Sequence, residues 1–192
     1  MKFNIVVYGC DNSGKTTLCN QIASYLKENE GLNAYVTHSI GPGNVISHAN
    51  FMSDILQDKK DPYLEIQILD RFPIIEEFVC GSILRNYDSF RNLPEAVLGY
   101  MGKIFLFVHC DPPYEVIENW GSREQMEGVK ENAYKMYDLY KAVSENFHIE
   151  PRTLVYDYTK DDPRVLAKRI SDVVWFFYSN KLSHWEDKNE HN

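Results

Sequence analysis

After Met1-Lys2 the chain reads Phe3-Asn4-Ile5-Val6-Val7-Tyr8-Gly9-Cys10-Asp11-Asn12-Ser13-Gly14-Lys15-Thr16-Thr17. The first six of these residues form a β-rich apolar run. The stretch from Thr16 to Lys27 has helical spacing, with Leu18, Ile22, Ala23, Tyr25 and Leu26 at its apolar positions. Between the two, Gly9 to Thr16 fits the pattern G-x-x-x-x-G-K-[ST] without a gap. Glycine lets a backbone turn tightly and bring its N–H groups against phosphate oxygens. The helix that follows adds its positive N-terminal end. Gly9, Asp11, Asn12, Ser13 and Gly14 are therefore candidate ATP-binding positions, with Lys15 as the cation for the β- and γ-phosphates. The Thr16 hydroxyl is a candidate ligand for Mg²⁺. Thr17 is either filler at the helix N-terminus or a contact to the α-phosphate. The alternative, a chance match in a glycine turn, is opposed by the strand before and the helix after.

Moving outward, apolar strands alternate with helices. Strands are expected over Ala34–Thr37, Leu64–Leu69, Ile104–Cys110 and Thr153–Tyr156, in addition to Phe3–Tyr8. Helices are expected over Val45–Leu56, Pro73–Leu84, from Asp111-Pro112-Pro113 towards Trp120, over Glu124–Phe147 and over Pro163–Tyr178. A Gly-Pro-Gly turn falls at Gly41–Gly43. Continuously apolar strands separated by helices imply an α/β class with a parallel sheet covered on both faces. With 192 residues the chain suits a single domain over 1–180, followed by a polar and frayed tail over 181–192.

Composition narrows the function classes. Hydrophobic residues make up 44% and charged residues 25%, which excludes a disordered or fibrous chain. No apolar run approaches the ~18 residues that span a bilayer, so no membrane partner is expected. The opening residues read as a buried strand and not as a secretory leader. Lys plus Arg total 20 against 28 Asp plus Glu, a net charge of -8, which disfavours tracking along nucleic acid. Cys10, Cys19, Cys80 and Cys110 have no metal-site spacing and read as reduced, buried thiols of a cytoplasmic protein.

A second motif, Asp70-Arg71-Phe72-Pro73, ends the third strand. Ligands of open α/β sheets sit beyond the carboxyl ends of the strands, which places Asp70 beside the phosphate loop. A carboxylate there can hold the water shell of Mg²⁺ or accept a proton. Arg71 can make a two-pronged bond to an acceptor phosphate. The plainer reading of this pair is a surface ion pair that caps the next helix. Around it, Phe72 is a candidate to stack on an acceptor base, or a core phenylalanine. His38 ends strand two at the ligand edge, Arg85 either reaches the acceptor or lies on a helix surface, and Tyr100 can cover the base. A short lid is expected over 118–126, with Arg123 as the cation that closes on the migrating group and Gly121 as its hinge. Asp162 before Pro163 has the pattern of a helix N-cap. The stripe Tyr134, Met136, Tyr137, Leu139 and Tyr140 reads as core or dimer packing.

The loop Gly9-x-Asp11-x-x-Gly14-Lys15-Thr16-Thr17, with Asp70-Arg71-Phe72 after strand three, resembles the thymidylate kinase and deoxynucleoside kinase group of P-loop kinases. Asp70 through Gly81 to Arg85, and Arg123-Glu124-Gln125-Met126, also resemble compact nucleotide kinases of bacterial viruses. The resemblance implies a three-layer P-loop kinase fold with a five-stranded parallel sheet, ATP with Mg²⁺ as donor, a deoxynucleoside monophosphate acceptor and a homodimer. It implies that Asp11 joins Arg71 on the acceptor side, and that the loop Tyr158 to Asp162, with Thr159, borders the donor adenine. The chain departs from the thymidylate kinase pattern after strand two. There Thr37-His38-Ser39-Ile40-Gly41-Pro42-Gly43 stands where Arg-Glu-Pro-Gly-Gly is common.

These residues point first to an ATP- and Mg²⁺-dependent kinase of a deoxynucleoside monophosphate, dTMP or a related pyrimidine nucleotide, with Lys15, Asp70, Arg71 and Arg123 as its machinery. A monophosphate acceptor is already ionised and needs positioning more than a base. A deoxynucleoside kinase needs a base, and Thr37-His38-Ser39 offers no carboxylate. A kinase of 5-hydroxymethyl pyrimidine in DNA and a nucleotide-binding regulatory module are the remaining alternatives.

Overall fold

Strand β1, Lys2–Tyr8, is buried along nearly its whole length, so it needs apolar neighbours on both faces. The structure, a computed structural model, describes residues 2–38, 65–85, 105–119, 127–146 and 153–189. β1 is the centre of a five-stranded sheet of order β2-β3-β1-β4-β5. The other strands are β2 (Ala34–His38), β3 (Glu65–Asp70), β4 (Phe105–Cys110) and β5 (Thr153–Tyr156). Every pairing is parallel, as the alternation of strands and helices implies. The expected strands are all present, with ends that move by no more than a residue.

The helices are α1 (Lys15–Glu30), α2 (Pro73–Glu76), α3 (Ser82–Leu84), α4 (Tyr114–Ile117), α5 (Ala133–Asn146) and α6 (Pro163–Asn189). Alternation along β1 sorts them into two layers. Phe3, Ile5 and Val7 pack with Leu18, Ile22 and Leu26 of α1 and with Leu166, Ile170 and Val174 of α6. Val6 and Tyr8 pack on the other face with Ile74, Ile75 and Val79 and with Met136, Tyr140 and Val143 of α5. Each fully buried Leu or Ile contributes roughly 1.5–3 kcal/mol of transfer free energy. Met136, Tyr137 and Tyr140 are buried as the stripe predicts, whereas Tyr134 is 58% exposed and is no core residue.

Several boundaries differ from the sequence expectation. The helix expected over Pro73–Leu84 is interrupted by a π turn at Glu77–Gly81. The helix after Asp111-Pro112-Pro113 ends at Ile117, and Asp111 does not cap it. Instead the Asp111 N–H donates to the Tyr156 carbonyl at 2.8 Å, tying β4 to β5. The long helix begins at Ala133, after turns over 127–132 in which Gly128 adopts φ 82, a value no α-helix passes through. Helix α6 runs on to Asn189 beyond the expected end at Tyr178. Its start is as expected: the Asp162 carboxylate accepts the Arg164 N–H at 2.8 Å. All four cysteines are buried free thiols. Among the described residues no helix is long and apolar enough to cross a membrane. The expected turn at Gly41–Gly43, the helix over Val45–Leu56, Tyr100, and Gly121 and Arg123 of the lid lie outside the described residues.

Candidate active site

Strand register brings the two motifs together. Val7 pairs with Asp70, and Asp70 pairs with His38 on its other side. Tyr8 pairs with His109, and Cys110 with Tyr156. All five strands therefore end along one edge, and the Gly9-to-Thr16 loop leaves from its middle.

Gly9 has φ 141, and a Cβ there would lie 2.4 Å from the Cys110 carbonyl oxygen. Only glycine fits both the angle and the space. Gly9→Ala is expected to cost at least about 2 kcal/mol through backbone strain. Thermal unfolding should register this as a Tm lower by roughly 4–8 °C; an unchanged Tm would contradict the placement. Gly14 has φ 84, and a Cβ on it would stand 3.1 Å from the Tyr158 ring. Tyr158 thus covers the loop.

Inside the loop, the Lys15 side chain is 5% exposed and its ammonium donates to the Cys10 carbonyl. It lies 3.9 Å from Asp11 Oδ1. Ser13 Oγ is buried with no hydrogen-bond partner among the described residues. A buried ammonium and an orphaned hydroxyl around a glycine turn fit an anion rich in acceptor oxygens. Asn12, at φ 65, donates from Nδ2 to the Ile117 carbonyl at 3.2 Å and anchors the loop to the end of α4.

The candidate metal pair meets directly: Thr16 Oγ1 donates to Asp70 Oδ2 at 2.6 Å. His38 Nδ1 lies 2.9 Å from the same oxygen. Asp70 is 1% exposed, and its Oδ1 is buried without a partner. That second oxygen suits a hard cation. Among the described residues no cluster of three or more His, Cys, Asp or Glu side chains can hold a metal. Mg²⁺ commonly uses one or two protein ligands and takes its remaining oxygens from phosphate and water, so Thr16 and Asp70 fit it.

Arg71 occupies the left-handed region at φ 78, where a non-glycine residue is strained. Its N–H donates to the Val7 carbonyl at 2.9 Å, which holds the residue against β1. Its Nη2 donates to Asp11, and its Nη1 to Glu76 Oε2 at 3.0 Å. Burial pushes the Asp11 carboxyl up, but the Lys15 and Arg71 charges outweigh it and hold the group below the ordinary carboxylate range. Burial opposes the Arg71 charge, but Glu76 and Asp11 prevail and hold the guanidinium above its usual value. Beside this pair is a cavity of about 20 Å³, the size of one water, lined by Cys10, Asp11, Arg71, Cys80, Met136 and Tyr140 among others.

Lys15, Asp11, Thr16, Asp70, Arg71 and His38 therefore gather at one edge. Others of the candidates do not join them. Phe72 is 1% exposed and packs edge-on to Phe107 with ring centroids 6.1 Å apart. Its ring offers no face to a base, and the stacking expectation is corrected to a core role. Arg85, exposed at the end of α3, is paired with the buried Glu77 of the π turn at 2.5 Å. The Thr159 N–H and hydroxyl both go to Asp157 Oδ1, at 2.9 and 2.7 Å, so its side chain stiffens the loop after β5. Thr17 is exposed on the first turn of α1 and lines an open cleft of about 630 Å³ with Asn20, Gln21, Ser24 and Arg164. Arg123 and Tyr100 lie outside the described residues. Two residues escape sequence reasoning, Tyr158 over Gly14 and Glu76 on Arg71. Tyr158 sits in the loop flagged for adenine, but nothing local singles out its ring. Glu76 carries no motif.

No family model matches the chain, and no curated protein matches it. Solved structures do. The YorR protein from Bacillus subtilis, in complex with phosphorylated GDP, superposes with a TM-score of 0.62 at 18% identity, covering 89% of this chain and 95% of that one. Deoxyadenosine kinase from M. mycoides, with bound dCTP, gives 0.55 at 13% identity, covering 90% and 98%. With its parallel sheet, its glycine loop between β1 and α1, and these likenesses along almost the whole chain, the protein has the fold of the P-loop nucleotide kinases.

Proposed function

We propose that the chain transfers a phosphoryl group from ATP·Mg²⁺ to a deoxynucleoside monophosphate, with dTMP or a related pyrimidine nucleotide as the acceptor. One observation carries this reading: Arg71 stands beside the phosphate loop with its guanidinium against Asp11, and Asp11 is held as a weakly basic carboxylate. An ionised acceptor oxygen needs a cation to position it and no base to activate it. The Asp11 oxygen on Nη2 occupies a place that an acceptor phosphate oxygen can take.

On this reading the backbone from Gly9 to Gly14 and Lys15 hold the donor phosphates, and Thr16 and Asp70 hold Mg²⁺. When bound, the cation neutralises charge on the transferring group. Lys15 moves from the Cys10 carbonyl to a phosphate oxygen, a stronger acceptor. Tyr158 and the loop after β5 border the donor side, and Arg123 closes over the migrating group. Arg71 orients the acceptor for attack in line with the leaving oxygen.

A second reading has support of its own. Asp11 and Glu76 already hold both terminal nitrogens of Arg71, so an acceptor phosphate must displace a carboxylate to reach the guanidinium. A neutral nucleoside hydroxyl needs no such displacement and would use Asp70, at the end of β3, as its base. ADP release from ATP·Mg²⁺ separates the two readings. The acceptor panel is the five deoxynucleoside monophosphates dTMP, dUMP, dCMP, dGMP and dAMP, with the free nucleosides and a hydroxymethylated DNA. Turnover with monophosphates is expected; turnover confined to nucleosides or DNA would overturn the first reading. Arg71→Ala is expected to raise the acceptor KM roughly 10- to 100-fold, the equivalent of about 1.5–3 kcal/mol for a charged hydrogen bond. The ATP KM should stay within about twofold, and an unaltered acceptor dependence would remove Arg71 from the acceptor site.

A further inference from the structure

Arg71 is gripped from behind. While Nη2 meets the loop residue Asp11, Nη1 donates to Glu76 Oε2 at 3.0 Å. The other Glu76 oxygen, Oε1, accepts the hydroxyl of Tyr140 at 3.0 Å. Tyr140 is 3% exposed and sits on α5, in the layer against the same sheet face. Burial, and then the adjacent Glu76 carboxylate, hold its phenol well above the ordinary range, so it remains a donor. Both Glu76 oxygens are thus used, one by the cation and one by a rigid aromatic.

The backbone adds an independent observation. Glu76 is the last residue of α2, and the π turn starts at the next position. Such turns are rare and gather at functional sites. Glu77, 4% exposed, points elsewhere and takes Arg85 at 2.5 Å. Adjacent glutamates therefore serve different arginines, and Glu76 is left to Arg71. The strained φ of Arg71 fixes the base of its side chain, and Glu76 fixes the tip.

We propose that Glu76 and Tyr140 form a positioning pair for Arg71: Tyr140 on α5 orients the Glu76 carboxylate, which holds the Nη1 edge and leaves the Nη2 edge to exchange Asp11 for an acceptor oxygen. This rests on the reading of Arg71 as an acceptor ligand. Asp11, 23% exposed and on a loop, is the exchangeable partner; Glu76, tied to the core through Tyr140, is the fixed one. Neither positioning residue touches the substrate.

The test uses the full chain and four variants: Glu76→Gln, Tyr140→Phe, the double variant, and Arg71→Ala. Each is assayed with ATP·Mg²⁺ and dTMP, or with deoxythymidine if only nucleosides turn over. Glu76→Gln should lower kcat/KM for the acceptor roughly tenfold and leave the ATP KM within about twofold. Tyr140→Phe, which keeps shape and charge, should lower it roughly threefold. The double variant should match Glu76→Gln alone, because Tyr140 acts only through Glu76. Effects that multiply, or equal losses for ATP and acceptor, would overturn the pairing in favour of a general packing role. Arg71→Ala impaired with both single variants at the wild-type rate would overturn the pairing and leave the acceptor role of Arg71 standing. Arg71→Ala at the wild-type rate would overturn both. If Glu76→Gln fails to fold, Tyr140→Phe with its acceptor-specific loss decides alone.

Discussion

Lys15→Ala is expected to reduce turnover roughly 10³-fold with the fold retained, the scale of removing a charge-stabilising donor from a phosphoryl-transfer site. The Lys15 side chain is 5% exposed and donates to the Cys10 carbonyl, so it is held inside the loop. Its loss leaves that carbonyl short of one donor, a cost of about 1 kcal/mol that a domain of this size absorbs. No other cation among the described residues lies within ion-pair distance of Asp11 except Arg71. Steady-state kinetics beside a thermal melt checks the result. A variant that turns over at the wild-type rate would show that the Gly9-to-Thr16 loop is not the phosphate cradle.

Asp70→Asn should lower turnover by roughly 10²-fold or more and raise the Mg²⁺ concentration that saturates the rate. The reason is the asymmetry of the carboxylate. Oδ2 accepts Thr16 Oγ1 at 2.6 Å and lies 2.9 Å from His38 Nδ1, so an asparagine keeps its carbonyl on that side. Its amide NH₂ then falls where the orphaned Oδ1 stands, and presents hydrogens to the place a cation would occupy. Shape is preserved and charge is not. A Mg²⁺ titration of the rate is the measurement. An unchanged Mg²⁺ dependence at full activity would return Asp70 to a structural role at the end of β3.

Much of this architecture is local, and local patterns are readable in the chain. β1 and α1 are adjacent in sequence, their apolar spacing differs in period, and the glycine loop lies between them. Asp70-Arg71 is legible for the same reason, because a polar pair that follows an apolar strand emerges at the carboxyl edge of the sheet. The parallel sheet follows from strands buried on both faces. The helix ends were less legible. Gly128 turns the chain five positions before α5 starts, within the helix expected from Glu124, and the π turn at Glu77–Gly81 has no composition of its own.

Side-chain roles depend on partners distant along the chain. Arg71 meets Asp11 from 60 positions away, and Tyr140 meets Glu76 from 64. Phe72 has the composition of a stacking residue, yet the path of α2 turns its ring into the core against Phe107. Tyr158 covers Gly14 because β5 ends beside β4 and brings its loop over the first turn of α1. The chain alone was enough to place a glycine loop between strand and helix on a parallel sheet, since backbone conformation and apolar period are written in neighbouring residues. Which carboxylate holds which cation was settled only when the sheet brought remote segments within hydrogen-bond reach, because a contact across the fold leaves no periodic trace in the sequence.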